Sequence, residues 1–430
     1  MACTFVMDGQ SYVAWCAVDL FWSAFVNSSW RLKLCVFAAT CLILCVLLKG
    51  LDFVVKPRYV FKQIPREWSQ KYQQALVDEL KSCVFNNTCS TQLPYGDFKT
   101  PLHIPGSDRT IIPLANIPNR LIVSCNEWGK TRRFVSDEQG FDNPSGIWSG
   151  TDFDLAFVGD SFVSGYCVPS GEGFVDKIRN HYPSTLNLGV ISIGPLQELA
   201  VVKEYLLNKH VKYLFWVFFE GNDLQGIQTE GPMWDLWKDY LSKPLPQSLI
   251  ARQKEANSAI DLEIKYRLQH QEKETEALSV KPMPLTARMA HASIPYLSDF
   301  LFCYKQDKML HRQSLFKDKI LQLEQIAAAF DKEAKRLQAK IIFMYLPDYM
   351  RITSHESCLN YRRLTDKSMV LDRIKPHVDA MIDVAETMQH QQDPMSFFPQ
   401  GQDLHYNEQG YWFVANEVIK FLDRPKWLRE

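Results

Sequence analysis

The run Tyr213 to Phe219, YLFWVFF, constrains the fold more than any other stretch of the chain. A strand with one face in water alternates apolar and polar residues, whereas this one is apolar on both faces, as a central parallel strand is. Such a strand needs helices above and below it. The strand is read at Val211 to Phe218, and the run stops at Glu220-Gly221-Asn222-Asp223, a polar turn. Further strand-like runs are read at Leu155 to Val158, Leu186 to Leu188, Lys340 to Tyr345 and Met381 to Val384. Amphipathic stretches fall between and after them, at Glu172 to Asn180, Pro195 to Asn208, Ser314 to Gln338 and Glu408 to Leu422. Pro195 suits the first position of its helix, where a missing N–H costs nothing. The alternation predicts an α/β fold with a parallel sheet, whose ligands bind at the carboxyl ends of the strands.

A chain of 430 residues has room for more than this one unit. We divide it into a leader over 1–31, a transmembrane anchor over 32–55, a stalk and irregular lead-in over 56–150, and the main domain over 151–430. The last of these carries a charged insertion at about 233–313. The anchor rests on Leu34 to Leu48, LCVFAATCLILCVLL, with Arg31 and Lys33 before it and Lys49 after. With basic side chains snorkelling at both ends, the segment can span a hydrocarbon core of about 30 Å. A buried helix or a signal-peptide core is the alternative, but no small-residue cleavage site follows. Residues Ser11 to Trp30 are also apolar and aromatic but contain Asp19, leaving an interfacial helix, a second span or a plain leader open.

Lys+Arg total 48 against 49 Asp+Glu, a net charge of -1, so there is no global basic field and nucleic acid is not an expected partner. The lead-in is punctuated by Pro94, Pro101, Pro105, Pro113 and Pro118, with strand character at Arg120 to Cys125. The insertion mixes Lys, Glu and Gln, which reads as a solvated helix plus a loop, either passive or a lid or partner surface.

The chemistry lies at the strand ends. Leu155-Ala156-Phe157-Val158-Gly159-Asp160 leads into Ser161, whose hydroxyl would project toward the crevice. Gly189 follows the second strand in NLGVISIGPLQEL, where a glycine allows close approach and an N–H toward a reacting oxygen. Asn222 lies just past the third strand and is a natural second donor. Near the C-terminus, Asp403 and His405 precede a helix in QDLHYNEQGYWF. Each signal alone fits an ordinary turn or a structural histidine. Together they supply a nucleophile, two oxyanion donors and a base, the set that acyl transfer requires.

In this order, Ser161, Gly189, Asn222 and His405 resemble the four blocks of the SGNH (GDSL-type) hydrolase superfamily. The resemblance covers about Phe153 to Asn222 and Lys340 to Leu422. The contexts SDEQGFDNPSGIW, NLGVISIGPLQEL, FFEGNDL and HYNEQGY are similar to membrane-anchored bacterial members. The resemblance implies a flavodoxin-like three-layer α/β/α sandwich and a serine mechanism with Ser161 as nucleophile and His405 as base. It further implies an oxyanion hole of the Ser161 and Gly189 N–H groups with the Asn222 amide, and neither a metal nor an organic cofactor. The expected partner is an acyl ester, a glycan or lipid of the cell envelope, attacked by an esterase or O-acyltransferase near the membrane. The alternative is a non-catalytic SGNH-like domain that binds glycan or scaffolds an assembly.

Two departures from the pattern matter. Glu220 stands where the third block has its first glycine, which would reshape the acyl pocket. Gln402 stands three residues before His405, where the orienting acid belongs, so Asp403 is the expected acid, with Asp383 or a backbone carbonyl as alternatives. Asp160 reads as a local partner for its turn.

Of the 11 cysteines, Cys3, Cys16, Cys35, Cys41 and Cys45 fall in the leader and anchor, where they act as small apolar residues or lipid carriers. The others are Cys83, Cys89, Cys125, Cys167, Cys303 and Cys358. Cys83 with Cys89 is the one pair to name, and Cys167 is a packed thiol or disulfide partner. An envelope substrate places the catalytic part outside the cytoplasm, where disulfides form. The greater number of Lys and Arg after the anchor favours the opposite orientation.

Overall fold

The computed structural model describes residues 66–227, 232–277, 313–353 and 367–424. All of them belong to the unit formed by Tyr59–Ser279 and Met309–Glu430. The expected leader and anchor, Cys303, Cys358 and the second half of the insertion lie outside the described residues. Among the described residues, no helix is long and apolar enough to cross a membrane.

Helix α1 (Arg66–Phe85) opens the described chain, and two small antiparallel hairpins follow. The first pairs β1 (Leu102–His103) with β2 (Thr110–Ile111), the second β3 (Leu121–Val123) with β4 (Arg133–Val135). Then comes β5 (Asp152–Gly159), α2 (Phe174–Arg179), β6 (Thr185–Gly189), α3 (Pro195–Tyr205) and β7 (His210–Phe219). Helices α4 (Gln253–Ala277) and α5 (Gln313–Leu337) precede β8 (Lys340–Leu346), and β9 (Ala380–Asp383), α6 (Val384–Gln389) and α7 (Glu408–Leu422) complete the order.

Strands β5 to β9 form one five-stranded sheet in the order β6-β5-β7-β8-β9, with every neighbouring pair parallel. Numbered within the sheet this is 2-1-3-4-5, a doubly wound order with β5 at the topological switch point. Side chains of one strand alternate between two cores, because the pleat has period two. Ala156, Val158, Leu214, Trp216, Phe218 and Phe343 bury against one set of helices with Leu199, Val202, Ile326 and Phe330. Leu155, Phe157, Phe215, Val217, Ile342 and Met344 bury on the other face with Val175, Ile178, Val414 and Val418. Trp216 stacks on Phe330 of α5 at 4.3 Å and Phe157 meets Phe174 of α2 edge-on at 5.5 Å, one helical layer on each face of the sheet. The unbroken apolar run of β7 is thus explained by burial on both faces.

The lead-in is part of this body. Asp137 is fully buried and accepts hydrogen bonds from the backbone of Gln139 and Phe141 and from the Asn143 and Trp148 side chains, at 2.7 to 2.9 Å. Asn143 also exchanges two bonds with the backbone of Asn187, at 2.8 and 2.9 Å, which fastens the lead-in to the second strand of the main sheet. The insertion differs from the solvated helix expected of it. In α4 a stripe of Ala256, Ile260 and Ile264, spaced four apart, with Ala259 and Leu268 beside it, joins the core. Just before that helix, the Gln247 amide pairs with both the N–H and the C=O of Ile112, at 2.7 and 3.1 Å. The dense Lys and Glu of the other face hide this stripe in the composition.

Candidate active site

Strand β5 ends at Gly159, where a Cβ would approach the Val163 side chain to 2.5 Å and the Val217 carbonyl to 2.9 Å. The chain then turns through Asp160 and Ser161. The turn is built by the Asp160 carboxylate, which accepts from the Phe162 N–H at 2.9 Å. Its other oxygen lies 3.4 Å from Ser161 Oγ and 3.3 Å from Asn222 Nδ2, so one buried acid ties the β5 turn to the β7 turn. Burial pushes the Asp160 carboxyl up, against the bonds it accepts from Phe162, Asn222 and Ser161.

Ser161 is 7% exposed, and its Oγ lies 2.9 Å from Nε2 of His405. His405 sits just before α7, whose first turn is capped by Asn407 accepting from the Gly410 N–H at 3.0 Å. The imidazole is wedged by rings: Phe162 at 4.9 Å and Tyr166 at 5.1 Å between centroids.

The acid on the far side of the imidazole is Glu127. Its Oε1 lies 2.8 Å from His405 Nδ1, and its Oε2 accepts from the His405 backbone N–H at 3.2 Å. Burial alone would push the imidazole down. The Glu127 charge and hydrogen bond, with a smaller contribution from Asp160, outweigh it and hold His405 above the ordinary histidine value. Conversely, burial raises Glu127, but His405 more than offsets that and leaves the carboxyl low.

Glu127 therefore occupies the place expected for Asp403. Asp403 is exposed and near Tyr349, whose phenol it helps hold up after the larger effect of burial. An extended backbone at Gln402, after the left-handed pair Gln400 and Gly401, sets the direction of this segment. Asp383 is also engaged elsewhere, accepting from the Glu386 N–H at 3.0 Å at the start of α6 and pairing with Lys367 at 2.6 Å. Nothing in the spacing of the sequence joins Glu127 to a histidine 278 residues away. The available signal was local: an acid in the tight loop that follows the strand-like run Arg120 to Cys125.

That loop is docked on the turn that carries Ser161. Ser124 and Cys125 pair with Arg132 through backbone bonds of 3.0 Å, and Asn126 accepts from the Gly129 N–H at 2.9 Å. Trp128 Nε1 donates to the Cys167 carbonyl at 3.2 Å, and the buried Arg132 donates to the Ser164 carbonyl at 2.6 Å. A disulfide joins Cys125 to Cys167, and a second joins Cys83 to Cys89.

The expected oxyanion donors separate. Asn222 is exposed at the end of β7 with its amide on the Ser161 side, held by Asp160. Gly189 is engaged differently, its N–H donating to Asn187 Oδ1 at 2.9 Å at the end of β6. Glycine is required there because a Cβ would lie 2.1 Å from the Ser164 nitrogen and 2.5 Å from the Val163 carbonyl carbon. This position lets the turn that carries Ser161 lie flat on β6, and the expectation that the Gly189 N–H faces a reacting oxygen is corrected by its bond to Asn187. Glu220 does not reach into an acyl pocket. Both its oxygens bond Arg351 Nε at 2.7 and 2.8 Å, with Tyr345 Oη and the Asp348 N–H at 2.8 and 2.9 Å, which ties the end of β7 to the turn after β8.

Among the described residues, the grouping densest in metal-ligand atoms is Cys125, Glu127 and Cys167. Its two sulfurs are bonded to each other, leaving one carboxylate, so no metal is assigned to it.

No family model matches the chain. No curated protein matches it either. Among solved structures, it is similar to the crystal structure of a two-domain esterase active on acetylated mannans, co-crystallised with mannopentaose. The likeness has 11% identity and a TM-score of 0.33, covering 64% of this chain and 50% of that one. The chain thus spans about half the length of that protein.

Proposed function

We propose that the chain is a serine acyl-transfer enzyme, an ester hydrolase or O-acyltransferase, working through Ser161, His405 and Glu127. The observation that carries this reading is the continuous relay from Ser161 Oγ to His405 Nε2 at 2.9 Å and from His405 Nδ1 to Glu127 at 2.8 Å. Glu127 fixes the tautomer with its proton on Nδ1, so Nε2 presents a lone pair to the serine hydroxyl. As Oγ attacks an ester carbonyl, its proton passes to Nε2, and the developing imidazolium is stabilised by the carboxylate. The carbonyl oxygen, now negative, is received by the Ser161 N–H and the Asn222 amide. Collapse of the tetrahedral intermediate breaks the ester C–O bond, and His405 returns its proton to the leaving alcohol. A water or sugar hydroxyl then takes the acyl group by the reverse sequence.

The natural ester is an acylated envelope glycan or lipid, and the catalytic part lies outside the cytoplasm, held to the membrane by the segment 32–55. Two disulfides in the described residues support an oxidising compartment. The test is hydrolysis of a short-chain p-nitrophenyl ester and labelling by a fluorophosphonate. Ser161→Ala should lower kcat by about 10⁴-fold or more and abolish labelling. Equal rates in parent and variant would remove the serine mechanism and favour a non-catalytic glycan-binding domain.

A further inference from the structure

One feature of the site has no role in that chemistry: a disulfide built into its wall. Cys125 and Cys167 are 3% and 1% exposed, with Cα atoms 5.1 Å apart. Cys125 is two residues before Glu127, and Cys167 ends the turn that begins at Ser161. The Cys167 sulfur itself lies 3.8 Å from His405 Nδ1, the nitrogen that Glu127 faces. The hairpin carrying Glu127 is short, its paired strands being three residues each, so its own ladder gives the loop little rigidity.

We propose that the Cys125–Cys167 disulfide is a positioning element for Glu127, so that the chain reaches its full rate only once this bond has formed. The inference rests on the Ser161–His405–Glu127 reading. A carboxylate set on a loop positions an imidazole only as well as the loop is held, and displacement of about 1 Å can cost on the order of 10²-fold. Trp128 and Arg132 fix the loop to the Ser161 turn on the C-terminal side of Glu127, and the disulfide fixes it on the N-terminal side, two residues before the acid. Reduction by a dithiol transfers two electrons and two protons to the bond. It leaves two cysteine thiols here and a cyclic disulfide in the reductant, and Glu127 then follows a loop joined to the turn by hydrogen bonds. Oxidation during maturation runs the same exchange in reverse.

The groups facing His405 are Glu127 from the hairpin loop, Asp160 and Ser161 from the β5 turn, and Tyr166 and Cys167 from the end of that turn. Of these charges, Glu127 is the one the disulfide holds. The full chain is compared as oxidised parent, as dithiothreitol-reduced parent, and as Cys125→Ala/Cys167→Ala and Cys83→Ala/Cys89→Ala pairs, alone and with Glu127→Gln. Two quantities are read: kcat on a p-nitrophenyl ester, and the pH midpoint of His405 carbethoxylation by diethylpyrocarbonate, followed by mass spectrometry. Loss of Cys125–Cys167 should lower kcat about 10- to 100-fold and move the His405 midpoint down, and should add nothing to Glu127→Gln. Loss of Cys83–Cys89 should change neither. An unchanged kcat and midpoint without the bond, or losses that multiply with Glu127→Gln, would overturn the proposal. Should the Cys125 and Cys167 variants fail to fold, the Cys83→Ala/Cys89→Ala pair, oxidised against dithiothreitol-reduced, gives the same comparison. Should no ester be turned over, the His405 midpoint still decides it, so failure of the enzymatic reading stays distinct.

Discussion

The parallel sheet and the irregular segment before it contribute to the site in different ways. The sheet supplies Ser161 and Asn222 from the turns after β5 and β7, places where its own hydrogen bonding fixes the geometry to the register Gly159 with Gly189. The lead-in supplies Glu127 from a loop between two three-residue strands, and fixes it by a disulfide and by side chains reaching onto the turn that carries Ser161. A periodic element positions groups by repetition and leaves a trace in the sequence pattern. An irregular one positions them by specific tertiary bonds and leaves almost none.

Four substitutions probe that difference. The largest effect is expected from Glu127→Gln, which keeps the shape but offers the wrong hydrogen-bonding partner to Nδ1; kcat should fall about 10²- to 10⁴-fold. The same variant should shift the acid limb of kcat/KM to lower pH. His405 is held above its ordinary value by Glu127, and the imidazolium cannot accept the serine proton, so activity is lost as pH falls through that raised value. Removing the carboxylate charge lowers it, and a pH–rate profile that failed to move would detach Glu127 from the imidazole. On the sheet side, Asn222→Ala should lower kcat about 10²- to 10³-fold, checked with the same ester. Next comes Glu220→Ala, which takes away the buried carboxylate that Arg351 pairs with. Urea denaturation should show a stability loss of about 3–5 kcal/mol with the serine still reactive toward fluorophosphonate. Asp403→Asn should alter kcat by less than about twofold, and a loss comparable to that of Glu127→Gln would return the orienting role to Asp403.

The sheet was legible because of how its strands are buried. Leu155 to Val158, Leu186 to Leu188 and Val211 to Phe218 all lie inside observed strands, since apolar runs covered on both faces have few other solutions. Helix α7 matches its expected bounds, Glu408 to Leu422, since Asn407 supplies a recognisable cap. Ser161, His405 and Asn222 were legible as a set ordered along strand ends. Gly189 was read for its chemistry when its reason is steric, a contact with the Val163–Ser164 backbone that no single strand reveals. Glu127 was missed because its partner is distant in sequence, and Cys125–Cys167 because six cysteines admit many pairings. The stripe of Ala256, Ile260 and Ile264 in α4 was obscured by the charges around it.

The separation of 244 positions between Ser161 and His405 also bears on how the protein comes into being. A ribosome delivers the β5 turn, β6 and β7 long before β8 and β9 can pair beside them, and the base arrives only with the segment that leads into α7. Until that segment docks, the nascent chain carries Ser161 without His405 beside it. On the proposed mechanism, the order of synthesis therefore keeps the hydroxyl unactivated through most of translation, and competence arrives only with the segment that carries His405.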